Sequence, residues 1–190
     1  MHQLRDPLFE AQNPARLTDA AWADHGAAAA PRFVGIGSPH GDDRLGWHVA
    51  DLLSRRLGDA AEVIKLETPI DLLARLDAAG RLVICDACQG SGAPGTICRG
   101  EWPEMDVIGN RAGGSHDLGL RQTLELAAQL GRFDSVSGPI VFWTVEAAQV
   151  KPGEAISAAV MAVIPELITC IEKDLFPGDH RCEASPAPIR

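Results

Sequence analysis

The stretch Arg81-Leu82-Val83-Ile84-Cys85-Asp86-Ala87 sets the reading of this chain. Four apolar residues in a row, closed by an acid, lack the in-out alternation of a half-solvated strand. A run this short and this apolar marks a strand covered on both faces, so it is expected at the centre of a sheet. Toward the N-terminus, Arg32 to Gly37 and Glu62 to Glu67 read as two further strands. Between them Leu45, Val49, Leu52 and Leu53 share one face of a helix expected over about Asp43 to Leu57. Thr68-Pro69-Ile70-Asp71 is a helix start, with a threonine cap, proline at the first position and an acid three residues after the cap. That helix is expected to end near Gly80.

Toward the C-terminus, the Gly90–Gly95 turn leads to a strand near Thr96 to Glu101, and a connection from Trp102 to Gly114 follows. Ser115 then caps a helix expected to reach about Leu130. Pro139 to Glu146, rich in β-branched and aromatic residues, is the fifth strand. The last helix is expected from about Glu154 to Leu175, kinked or divided at Pro165. Alternating strands and helices of this kind imply an α/β protein. The expected architecture is a three-layer α/β/α sandwich with a mostly parallel twisted sheet of about five strands.

Of the 190 residues, 32–176 carry this pattern as one α/β domain, while 1–31 read as a weakly ordered extension and 177–190 as a tail. Acidic residues outnumber basic ones 26 to 17, and no basic run occurs, which argues against a nucleic-acid partner. No uncharged apolar run reaches membrane-spanning length, so no membrane is expected. The first 32 residues lack a signal-length apolar core. With an odd set of five cysteines, this places the chain in the reducing cytoplasm with free thiols. Cys85-x-x-Cys88 has no second pair, and Cys85 falls inside the apolar run, so it reads as a buried structural thiol.

Three polar residues, Asp43, Asp86 and His116, each stand where a strand or loop gives way to a helix or turn. In an alternating fold such positions converge on the crevice at the carboxyl edge of the sheet. Two carboxylates and an imidazole there suit a divalent metal. Each also has an ordinary structural job. Either Asp42 or Asp43 suits a helix N-terminus, Asp86 a turn, and His116 a surface or cap position. His40 in the first loop could touch substrate, and His48 falls mid-helix as a structural residue. Gly35-x-Gly37 has His40 where the dinucleotide fingerprint needs its third glycine. Neither a Gly-x-Ser-x-Gly elbow nor an HExxH zinc motif occurs.

Taken in order, Gly35-Ile36-Gly37, Gly41-Asp42-Asp43, Gly46, Cys85-Asp86-Ala87, Ala93-Pro94-Gly95-Thr96 and Ser115-His116-Asp117-Leu118-Gly119-Leu120 resemble the nickel-iron hydrogenase maturation endopeptidases. The resemblance runs from about Phe33 to Leu175. It implies an α/β/α sandwich that removes a C-terminal extension from the hydrogenase large-subunit precursor after nickel insertion. It also implies that Asp43, Asp86 and His116 are the catalytic, metal-contacting residues, with nickel supplied by the substrate and zinc or cadmium able to take its place. Ser38, His40, Asp42 and Arg44 would then line the substrate approach. The chain departs from the family in having Ser38 for the usual asparagine, a first loop one residue shorter, and Arg44 for the usual glycine. Two other functions compete with peptide cleavage: a non-catalytic module that checks nickel or chaperones the large subunit, and a nucleotide-binding α/β protein.

Overall fold

The structure is a computed structural model that describes residues 29–76, 80–90, 92–104, 119–133 and 136–178. Five strands form one sheet: β1 (Arg32–Ile36), β2 (Glu62–Leu66), β3 (Gly80–Cys88), β4 (Ile97–Glu101) and β5 (Val136–Glu146), in the order β2-β1-β3-β5-β4. The β1–β2, β1–β3 and β3–β5 pairs are parallel, and edge strand β4 runs antiparallel to β5. The apolar run centred on Ile84 is indeed the middle strand.

Among the described residues three α-helices accompany the sheet: α1 (Leu45–Leu57), α2 (Leu120–Gln129) and α3 (Ala158–Leu175). Alternate strand residues face opposite ways. Phe33, Val83, Cys85, Val141 and Val145 pack with Leu45, Val49 and Leu53 of α1 and with Ile164, Leu167 and Ile171 of α3. Val34, Ile36, Leu82, Ile84 and Phe142 meet Leu72, Leu76 and, from α2, Leu120 and Leu124. The sheet is therefore covered on both faces, which is why its central strand shows no polar alternation.

Several elements depart from the expected boundaries. The segment opening at Thr68 is a 3₁₀ helix, Pro69–Arg75. Its start is as expected, since the Asp71 carboxylate accepts from the Thr68 amide and hydroxyl. Its last carbonyl, on Arg75, accepts instead from the guanidinium of the buried Arg32. β5 begins at Val136, three residues before Pro139. The β3–β5 ladder steps from Gly80↔Val136 to Leu82↔Ile140, and this bulge accommodates Gly138, at φ +94, and Pro139. Proline lacks the ladder donor, and a bulge is where a strand tolerates it.

The α2 helix starts after Gly119, and Ser115 lies outside the described residues. The α3 helix starts four residues later than expected, behind the Ser157 cap, and continues unbroken through Pro165. The carbonyl that loses its partner to Pro165 belongs to Met161, and both residues are on the solvent side of the helix. A carbonyl on that side is open to solvent, so the missing donor is tolerated. No described helix is long and apolar enough to cross a membrane. The expected extension falls almost wholly on residues 1–28, and most of the tail on 179–190, outside the described residues.

Candidate active site

Chain direction places a crevice beside β1. From β1 the chain crosses to β2 on one side and then returns to β3 on the other, so the carboxyl ends of β1 and β3 flank the point where strand order reverses. Small residues close the corner. A Cβ on Gly35 would stand 2.1 Å from the Gly46 carbonyl oxygen, and one on Gly46 would stand 2.0 Å from that of Ile36. A Cβ on Gly37 would stand 2.1 Å from the Asp43 oxygen. These glycines let the first turn of α1 lie directly on the end of β1. The space that a dinucleotide fingerprint would open for a pyrophosphate is filled by the protein's own backbone.

The loop after β1 is held by main-chain bonds. Gly37 N–H donates to Leu66, Ser38 N–H to Asp43 and Asp43 N–H to His40, all at 3.1 Å. A 3₁₀ turn, Gly41–Arg44, then runs into α1. Asp43 is half-buried on this turn, and among the described residues its carboxylate makes no hydrogen bond. Asp86 comes from β3. The β1–β3 ladder ends at Gly35↔Cys85, so Asp86 stands one step beyond, where β1 has already turned away. It lies on the same side of the sheet as Leu82 and Ile84, the side covered by α2. Among the described residues its carboxylate accepts only the adjacent Ala87 N–H, at 2.8 Å.

Burial, and after it the negative charge of Asp43, hold the Asp86 carboxyl well above the usual carboxylate range, against a smaller opposing pull from that hydrogen bond. Two acids are thus gathered with too few donors. A cation between them would relieve both the repulsion and the desolvation, so this donor set fits a divalent metal.

Asp42 requires a correction. It is fully buried and cannot line a substrate approach. Its Oδ2 accepts from the amides of Ala148 (2.7 Å) and Gln149 (3.0 Å), and its Oδ1 from the amide of Ser157 (2.6 Å). Burial alone would raise its pKa, but these hydrogen bonds outweigh it and hold the carboxyl below its ordinary value. Of the two adjacent acids, Asp42 is the structural one. Its partners lie over a hundred residues downstream rather than in its own helix, which is why they could not be read locally.

His40 and Arg44 are exposed on the same loop, Ser38 is half-buried, and the Arg44 guanidinium donates to the Pro39 carbonyl at 2.9 Å. His48 is half-buried within α1. His116 lies outside the described residues, a few positions before α2, the helix on Asp86's side of the sheet. Among the described residues, no three His, Cys, Asp or Glu side chains gather as a metal-holding group.

Cys85 is fully buried with a free thiol, as expected, and among the described residues Cys98 and Cys170 form no disulfide. One polar residue was missed, the buried Glu146 at the end of β5. It accepts from Gly90 N–H at 2.6 Å and from the Cys88 thiol at 3.6 Å, closing the turn after β3. The signal was available: Glu146 ends the apolar run Val141–Val145 as Asp86 ends Leu82–Cys85.

No family model and no curated protein matches the sequence. Solved structures do. The hydrogenase maturating endopeptidase HybD from E. coli superimposes with a TM-score of 0.59 at 20% identity, over 75% of this chain and 90% of that one. The [NiFe] hydrogenase maturation protease HybD from Thermococcus kodakarensis gives 0.57 at 20% identity, over 76% and 98%. HycI, a [NiFe] hydrogenase maturation protease from Thermococcus kodakarensis KOD1, gives 0.56 at 19% identity, over 77% and 92%. At such identities the likeness is one of fold.

Proposed function

We propose that this chain is an endopeptidase that removes the C-terminal extension of a nickel-iron hydrogenase large-subunit precursor once nickel is in place. The observation that carries the reading is the pair Asp43 and Asp86 at the strand-order reversal of a fold shared with hydrogenase maturation proteases. The nickel belongs to the substrate. Asp43, Asp86 and His116 are the residues that would contact it, holding the precursor with its scissile segment over the crevice. A cation can polarise a carbonyl or activate water at such a site. The chain's own contribution is to present two carboxylates held close together on rigid elements, with Ser38, His40 and Arg44 at the entrance. Burial and the charge of Asp43 disfavour the ionised form of Asp86, which a cation beside it would favour.

The test is processing of nickel-loaded precursor, followed as a mobility shift on a gel. Wild type and His48→Ala should cut; Asp43→Asn, Asp86→Asn and His116→Ala should not. Precursor bound by wild type but never cut would instead identify a nickel-checking module.

A further inference from the structure

We propose that Asp42 is a positioning residue that makes the segment after β5 part of the active site, by locking residues 148–157 to the turn that carries Asp43. The proposal rests on the reading of Asp43 as a site residue. Five hydrogen bonds join the two segments. Three are the amides of Ala148, Gln149 and Ser157 donating to the Asp42 carboxylate. The others are Asp42 N–H to the Gln149 carbonyl at 2.9 Å and Gly41 N–H to that of Glu154 at 3.2 Å. Gly41 has φ +55, and a Cβ there would stand 2.7 Å from the Gln149 oxygen, so the two backbones are in direct contact.

Asp43 follows immediately, and among the described residues no hydrogen bond reaches its carboxylate. Its direction is therefore set by its backbone, and that backbone is set by Asp42. Asparagine cannot substitute. Both carboxylate oxygens already accept N–H groups, and an amide would have to aim its NH₂ at one of those donors.

The experiment uses the full chain as wild type, Asp42→Asn, Ser157→Pro and Leu72→Ala. Ser157 has φ −64, which proline adopts, so Ser157→Pro removes the amide donor to Asp42, together with the hydroxyl that caps α3, while leaving Asp42 in place. Leu72→Ala empties part of the core under α2 and serves as a destabilised control. Two readouts are taken below each melting point: amide hydrogen exchange, and binding of Ni²⁺ alone by calorimetry. In Asp42→Asn, exchange at the Asp43 amide should rise at least tenfold beyond the Leu72→Ala level, and Ni²⁺ should bind at least tenfold more weakly. Ser157→Pro should move both readouts the same way by less.

Asp43 protection within twofold of the control in both Asp42→Asn and Ser157→Pro would overturn the proposal, whether or not Ni²⁺ binds. Should Asp42→Asn prove unfolded, Ser157→Pro decides alone. Wild type that fails to bind Ni²⁺, with the exchange result as expected, would count against the metal-contacting role of Asp43 and leave the positioning intact.

Discussion

Asp42 and Asp86 are both acids at the carboxyl edge of one sheet, and they are treated in opposite ways. Asp42 sits among three converging amides and is held ionised, below its ordinary pKa. Asp86 has, among the described residues, one amide and a second acid nearby, and is held well above it, by burial first. The number of donors decides the difference, since burial pushes both the same way. A carboxylate whose lone pairs are all taken is part of the scaffold. One left short of donors is available to a cation, and such perturbed groups gather at functional sites.

The largest test of this contrast is Asp42→Ala. Three amides would lose a buried acceptor, and a change of this class costs about 3 kcal/mol. For a chain of this length that lowers the melting temperature by roughly 6–12 °C. Asp42→Asn should fare almost as badly. A melt within about 1 °C of wild type would break the comparison.

Asp86→Asn should move the other way. Replacing an acid whose ionisation the fold disfavours should raise stability at neutral pH by about 1 kcal/mol. Processing of nickel-loaded precursor should be lost in the same variant. Calorimetric melting and the processing gel, run on one preparation, read both effects. Destabilisation alongside inactivity would make Asp86 structural as well.

The two acids should also give opposite pH slopes. Asp42 binds its proton more weakly when folded, so its stabilisation is complete above its ordinary pKa of 3.8 and is lost as acid carries the pH down through the lower folded value. Asp86 keeps its proton after the unfolded chain has released it. Its contribution is complete below 3.8 and is lost as the pH rises toward its folded pKa. Denaturant midpoints of Asp86→Asn against wild type should therefore diverge as the pH rises from about 4 toward the folded pKa of Asp86, the variant gaining. A constant gap would mean that Asp86 is not held high. Below the folded pKa of Asp86, Ni²⁺ binding to wild type should strengthen with pH and release a proton, measurable by calorimetry in buffers of different ionisation enthalpy.

The smallest effect sharpens the comparison. Glu172 on α3 is another buried acid pushed upward, by burial first, with the Arg56 guanidinium at 2.6 Å opposing. Among the described residues its second oxygen has no hydrogen-bond partner, yet Glu172 lies near the far end of α3 from the Ser157 cap. Arg56 is largely exposed, so that pairing is screened. Glu172→Gln should change stability by less than about 1 kcal/mol and leave processing untouched. Lost processing would show that a raised acid does not by itself distinguish the site.

Much of this was legible from residues alone. The apolar run 82–85 marked the central strand because burial on both faces leaves no room for polar alternation. Asp86 stood out because an acid closing such a run has to be accounted for. Boundaries failed where a distant partner overrode a local signal. Gly138-Pro139 looks like a break but occupies a bulge, and α3 waits until Ala158 because the Ser157 amide is bound to Asp42.

The sequence by itself therefore determined the alternation of strands and helices, the central strand and the acids at the carboxyl edge, because periodicity and burial act over neighbouring residues. Only the tertiary structure decided which acid does what. Asp42 and Asp43 are chemically identical neighbours, and their roles separate only when residues 148–157, more than a hundred positions away, close over one of them and supply the amides that satisfy it.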